Sequence, residues 1–357
     1  MSGNGHAAHT VIREDIMQSA PLPNTWLVQF KIERTSASDY LYANTRQQAE
    51  ISLVVQAREN MALSDTEFES LCIVELDDSG NYVPVPPSQR GDWWYSAQRN
   101  EYDYYSAAIQ HADSPDGNQT CTRELLHSIR SWLEAVGTSL RMGAPQAQPV
   151  RRKRLYMMTA APGGTTKKLF ARITRDTGDI YVTDNIFVSD VTLVAVQVPR
   201  YSAALDYLMD RILVSGSEAS GIFLYELHLQ HRLARFHSAG MNPMGMIQWD
   251  DRDPAETHAS NVGHAGPGEA SVKYNESIVL GSAFQRAELI SNISPGKLTL
   301  VLQGDLNIPY HSASALTHNG PCTINAIDFN GNEHALRVAF MGESGFEERT
   351  TLVLLDG

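Results

Sequence analysis

Cysteine is scarce in this sequence: Cys72, Cys121 and Cys322 are the only three in 357 residues, and no C-x-x-C pair occurs. That excludes a disulfide framework and the common thiolate zinc motifs, and it agrees with synthesis in a reducing compartment. There is no run of about 18 apolar residues, so no helix is expected to span a bilayer. The opening stretch, Met1 to Asp15, lacks the basic start and apolar segment of a secretory signal. Cytoplasmic synthesis without a signal peptide is therefore expected, with any export by a signal-independent route. Positive charge is short as well: 28 Lys+Arg stand against 41 Asp+Glu, a net charge of -13. Phosphates would be repelled over most of such a surface, which argues against a nucleic-acid partner.

The common catalytic signatures are missing too. Gly342 to Gly345 falls one position short of G-x-S-x-G, and neither G-x-x-x-x-G-K-[ST] nor G-x-G-x-x-G is present. Gly163-Gly164 precedes Thr165, Thr166, Lys167 and Lys168, but it leads into a strand pattern rather than a helix. The helix dipole that would hold a phosphate is absent there, so an ordinary turn is expected. His228, His231 and His237 do not converge on one face at either the helical or the strand period, and there is no H-E-x-x-H.

What is present is apolar material in short alternating runs. Hydrophobic residues make up 42% of the chain, enough for sizeable buried cores. Residues 1–23, Gly-rich and ending in Pro21-Leu22-Pro23, read as a flexible N-terminal arm. A β-rich unit with a helix is expected over 24–142. It opens with Trp26, Val28, Phe30 and Ile32 on one strand face and repeats the alternation with Ile51, Leu53 and Val55. Ser64 and Glu67 carry the spacing of a capping box, and Asp77 to Asn81 that of a turn. From Arg123 to Leu140, apolar residues recur at three and four spacing, which predicts one docked amphipathic helix at about 123–140. A Gly- and Pro-containing linker follows at 143–150.

A second β-rich unit is expected over 151–248. It includes a hairpin around Asp176 to Asp179, a central strand at Val191 to Val198, and a segment from Leu205 to Val214 read as helix. Residues 249–270 lack periodicity and read as a long acidic, His-containing loop. A C-terminal β unit, 271–357, has strands at 277–280, 297–302, 323–329, 335–340 and 349–355. Asn330-Gly331 between two of these is the strongest hairpin signal in the chain. The expected fold is mainly β, with two or three β-sandwich-like units, because alternating sheets must bury one face.

Three groups of residues are candidates for recognition. Trp93, Trp94, Tyr95, Tyr102, Tyr104 and Tyr105 are interleaved with Asp, Asn, Gln and Arg. Core packing is the leading reading of this aromatic cluster, a protein interface the next and a glycan site the third. Arg151, Arg152, Lys153, Arg154, Lys167 and Lys168 form a basic patch with no acidic residue up to Arg175, whereas residues 59–105 carry ten acidic and two basic residues. Contact between such a patch and an acidic surface, in the same chain or a neighbouring copy, is expected. Asp250, Asp251, Asp253, Glu256, His258 and His264 supply oxygen and imidazole ligands within one segment. A divalent cation there is the minor reading beside a solvated loop, since the pattern departs from an EF-hand at its third oxygen and following Gly. No cofactor is otherwise expected.

The functional expectation is a non-enzymatic binding or structural protein that presents loops and sheet edges to another protein, to copies of itself or to a larger assembly. A carbohydrate-binding, lectin-like protein is one alternative; a secreted toxin or a metal-dependent hydrolase is the other.

Overall fold

The computed structural model describes residues 25–106 and 148–357, apart from 185–186, 232–233, 281–283, 292–293, 306 and 343–345. The expected arm, the helix at 123–140, most of the linker and Cys121 lie outside the described residues. The chain is mainly β, arranged in four sheets.

The first elements are β1 (Leu27–Arg34), β2 (Tyr40–Tyr42), β3 (Ala49–Ala57), α1 (Asp65–Glu69), β4 (Cys72–Leu76), β5 (Tyr82–Pro84) and β6 (Trp93–Ser96). They are followed by β7 (Arg151–Thr159), β8 (Thr166–Thr174), β9 (Ile180–Val182) and β10 (Val191–Val196). Next come α2 (Ala203–Asp206), β11 (Tyr207–Gly216), β12 (Gly221–Leu229), β13 (Phe236–Asn242), β14 (Met246–Trp249), β15 (Ala259–Ala265) and β16 (Leu298–Asp305). The last are α3 (Ser312–Thr317), β17 (Cys322–Asp328), β18 (Glu333–Phe340), α4 (Phe346–Thr350) and β19 (Leu352–Asp356).

The first sheet has the order β1-β3-β7-β6 and the second β2-β10-β8-β4-β5, with β9 beside β8. Phe30, Ile51, Leu53, Leu155 and Met157 of the first share one apolar cluster with Ile73, Leu169, Ala171 and Leu193 of the second. Each of the larger of these side chains contributes roughly 1.5–3 kcal/mol by leaving water, which is what holds the two sheets face to face. The third sheet, β11-β12-β16-β15-β14, meets the fourth, β13-β17-β18-β19, across Phe223, Leu300, Leu302, Phe236, Ile324 and Val338. Strand pairing does not follow the expected boundary at 143–150: β7 lies between β3 and β6, and β8 pairs with β4.

Several local expectations are met. Ser64 Oγ accepts from Glu67 N, and Glu67 reaches back to Ser64 N, completing the capping box of α1. The turns at 77–81 and 175–179 and the Asn330-Gly331 hairpin join antiparallel strands, with Gly331 at φ 80°.

Other expectations are corrected. Val28 does not share a face with Phe30. A register shift between Leu27 and Gln29 marks a bulge that turns Val28 out, at 56% exposure, and Leu27 inward. Leu208 to Val214 is strand rather than helix, since β11 gains a full ladder with β12. Residues 249–270 are not one loop. Ala259 to Ala265 is a fully buried inner strand whose Ala, Ser, Asn, Gly and His show no alternation because both faces are covered. Residues 277–280 form a turn and irregular chain. The strand expected at 349–355 starts at Leu352, after α4.

The two pairs of sheets meet at the turn between β17 and β18. Asp328 Oδ1 accepts from the backbone N–H of Asn330 (2.8 Å) and Asn332 (2.9 Å), and its Oδ2 accepts from Asn332 Nδ2 (3.2 Å). The turn so shaped meets the loop after β2. Asn44 Nδ2 donates to Asn330 O (2.9 Å) and Asn332 Oδ1 (2.8 Å), and Gln47 Nε2 donates to Asn330 Oδ1 (3.2 Å). Arg46 pairs with Glu333, and Asp103 N–H donates to Phe329 O at 2.6 Å. Thr45, exposed in the middle of that loop, holds φ 66°, a left-handed conformation that a β-branched residue adopts at a cost.

Replacing Asp328 by Ala leaves three buried donors without acceptors and is expected to cost about 3 kcal/mol in urea denaturation. The same measurement on Thr45→Gly is expected to show a gain of about 1 kcal/mol, because glycine removes the left-handed strain without losing a buried contact.

Candidate functional site

The aromatic segment faces inward. Trp93 and Trp94 are each 4% exposed, and Trp93 belongs to the first apolar cluster, with Tyr95 packed against it. Tyr105 lies against Tyr40 and Tyr42, with ring centroids 5.7 and 5.2 Å away. Tyr102 meets His237 of β13 edge-on at 5.5 Å, and His237 in turn meets Phe329. Tyr104 is half-buried; its hydroxyl donates to Glu50 Oε2 at 2.7 Å beneath the Arg99 guanidinium. Burial, with the hydrogen bond to Glu50 and its charge, raises the Tyr104 pKa far above the usual phenol value. These rings therefore form core and an internal junction, and not an open stacking platform.

The basic patch is neutralised within the chain. Arg151 pairs with Asp65 (2.9 Å) and lies over the Phe68 ring, Arg152 pairs with Glu33, and Lys153 with Glu69 (3.4 Å). Arg154 faces Glu50 (3.6 Å), Lys167 pairs with Glu75, and Lys168 with Asp190 (3.4 Å). Antiparallel pairing of β7 with β3 and of β8 with β4 brings Asp65, Glu69 and Glu75 of the 59–105 segment beside three of these cations, and Glu33, Glu50 and Asp190 meet the others. Glu33 is held below the usual carboxylate range: burial opposes its ionisation, and Lys31 and Arg152 outweigh that penalty. Exposed pairs of this kind contribute little stability individually.

Of the acidic loop, the structure brings together Asp250, Glu256 and His258, whose ligand atoms lie within 4.8 Å of one another. Asp251 and Asp253 are exposed and accept from Arg252 N and Ala255 N in local turns. His264 is on β15 and buried. Its Nε2 accepts from Met241 N at 3.4 Å, so Nδ1 carries the proton toward Met244 O. Burial lowers its pKa. The trio offers three ligand atoms to a divalent cation, but one carboxylate is already shared. Arg349, 1% exposed at its side chain, donates through Nε to Asp250 Oδ1. It also donates to Ser260 Oγ (3.1 Å) and Ala219 O (3.0 Å). Sequence reading gave no signal for Arg349, which lies 99 positions from Asp250.

A second buried array escaped sequence reading for the same reason. Tyr207 Oη lies 2.8 Å from His334 Nδ1, and His334 Nε2 is 3.4 Å from Asp328 Oδ2. Both the imidazole and the carboxylate are closed to solvent, so this Tyr–His–Asp line ties β11, β17 and β18 together inside the core.

Among the described residues, one long sheet edge carries several exposed apolar side chains. β11 is the edge of the third sheet and pairs with β12 alone. Among the described residues it makes no backbone hydrogen bond on its other side. Leu208, Ile212, Leu213 and Val214 are 42–49% exposed along it. Its two charges are already engaged: Asp210 with His228 (3.0 Å), and Arg211 with Glu218 and with Tyr225 Oη (3.0 Å). Two other edges are partly or wholly covered. Ser189 Oγ bonds both the N–H and the C=O of Ile32 on β1, and β14 is wholly buried.

In comparisons with known proteins, no family model and no curated sequence matches this chain.

Replacing Arg349 by Met strands the Asp250 carboxylate and is expected to destabilise the protein by about 3 kcal/mol in denaturant titration. Adding Asp250→Asn to that variant is expected to restore at least 1 kcal/mol, as a double-mutant cycle would read.

Proposed function

We propose that this chain is a non-enzymatic binding or structural protein, built as two β-sandwich-like units, that joins a macromolecular partner or a larger assembly through an open sheet edge. The observation that carries the reading is β11, whose ten residues combine backbone groups without a partner on their outer side among the described residues with four exposed apolar side chains. An edge of this kind templates the addition of another strand, and monomeric proteins normally blunt it with proline, lysine or a covering loop. Neither proline nor lysine occurs in β11. The aromatic segment and the basic patch are less suited: most of the aromatic segment is buried, and the basic patch is internally paired. Burial of Trp93 and Trp94 also removes the stacking faces that favoured a lectin-like role.

Cross-linking of the native protein followed by peptide mapping tests this reading. Cross-links from the 205–230 region to a second macromolecule or a second copy are expected, with loss of those links in Ile212→Lys. A monomer that forms no such links and turns over a small substrate would overturn it.

A further inference from the structure

The histidine and two carboxylates gathered between β14 and β15 have the spacing of a metal centre. Asp250 follows β14 and His258 precedes β15, and Asp250 N–H donates to His258 O (2.9 Å). The turn between them is pinned to the chain beyond β16: Ile308 N–H donates to Thr257 O (2.8 Å) and Tyr310 N–H to Glu256 O (2.9 Å). The backbone beneath all three side chains is thus held by contacts outside the cluster. His258 Nδ1 lies 3.4 Å from Asp250 Oδ2 and 3.5 Å from Glu256 Oε1. Those separations are long for hydrogen bonds. They match a coordination tetrahedron, in which zinc bonds of about 2.0–2.2 Å put neighbouring ligand atoms about 3.3–3.6 Å apart.

A residue outside the cluster completes the pattern. Arg349, closed to solvent at its side chain, donates through Nε to Asp250 Oδ1 and is itself held by Ser260 Oγ (3.1 Å) and Ala219 O (3.0 Å). It occupies one oxygen of Asp250 and leaves Oδ2 toward His258. Metal-binding carboxylates are oriented in this way, by a hydrogen bond to the oxygen that does not meet the ion. The arginine does not cancel the negative charge, because Asp250 and Glu256 stand against one guanidinium and Asp251 and Asp253 flank Arg252. His258 is 46% exposed at its side chain, which gives an ion a path from solvent.

We propose that Asp250, Glu256 and His258 bind one divalent transition-metal ion of the zinc type, with water at the remaining position. An imidazole beside two carboxylates favours such an ion over calcium or magnesium, which take about six to eight oxygen ligands. Bound there, the ion clamps residues 250–258 to the ends of β14 and β15. The site goes beyond the edge-binding reading, and neither depends on the other.

Calorimetric titration of the full chain with zinc chloride, after stripping with EDTA, supplies the test. One equivalent per chain is expected, with a Kd of about 10 µM or below. His258→Ala and, separately, Glu256→Gln are expected to weaken that binding by about tenfold or more while keeping the wild-type circular dichroism spectrum. Both variants spare Asp250, whose loss strands the buried Arg349. His311→Ala, at an exposed histidine outside the cluster, is expected to leave binding unchanged. Zinc is also expected to raise the melting temperature of the wild type and not that of His258→Ala. Absence of stoichiometric binding overturns the site, as does zinc binding that survives both substitutions. Displacement of zinc by an equal concentration of calcium or magnesium overturns the choice of ion.

Discussion

The carboxylate of Asp328 is the fixed point of this molecule. It accepts two backbone N–H groups and one side-chain amide within its own turn, and it lies against His334, which in turn reaches Tyr207 at the start of β11. A buried carboxylate is costly unless its oxygens are filled, and here three donors fill them. The turn shaped in this way offers Asn330 and Asn332 to Asn44 and Gln47 of the other pair of sheets. One side chain thus sets a hairpin, anchors the first residue of the open edge and orients the junction.

Contacts at that junction are amides and backbone carbonyls for the most part, with one exposed ion pair between Arg46 and Glu333. Amide bonds do not titrate, so this part of the contact does not depend on pH. The ring contacts from Tyr102 through His237 to Phe329 add apolar area beside them. Aromatic pairs of that geometry contribute about 0.5–1.5 kcal/mol beyond their burial.

Charge is handled in the same internal manner. The acidic stretch before residue 105 and the basic stretch after 150 look like opposed surfaces when read along the chain, yet neighbouring strands interleave them into local pairs. The same holds on β11, where both charges find partners in the same sheet or its adjoining turn. What stays outward there, among the described residues, is apolar side chain and backbone without a second strand. Such a surface favours strand addition over recognition of a charged ligand.

Much of the fold was legible because period-two alternation, turn residues and a capping box are local signals; β3, β17, β18, α1 and the Asn330-Gly331 hairpin all follow from them. Where those signals failed, a tertiary neighbour had changed the rule. β15 is covered on both faces, so its residues need no alternation, and a bulge at Val28 reverses which side chains enter the core. Composition and motif absence by themselves determined an acidic, mainly β chain without recognisable catalytic or phosphate-binding signatures. Only the tertiary structure decided that most of the aromatic rings face inward, that the basic patch is paired, that Arg349 meets Asp250, and that β11 lies at a sheet edge with apolar side chains exposed. Each of those depends on which segments become neighbours in space, and burial and hydrogen-bond satisfaction in three dimensions settle that pairing.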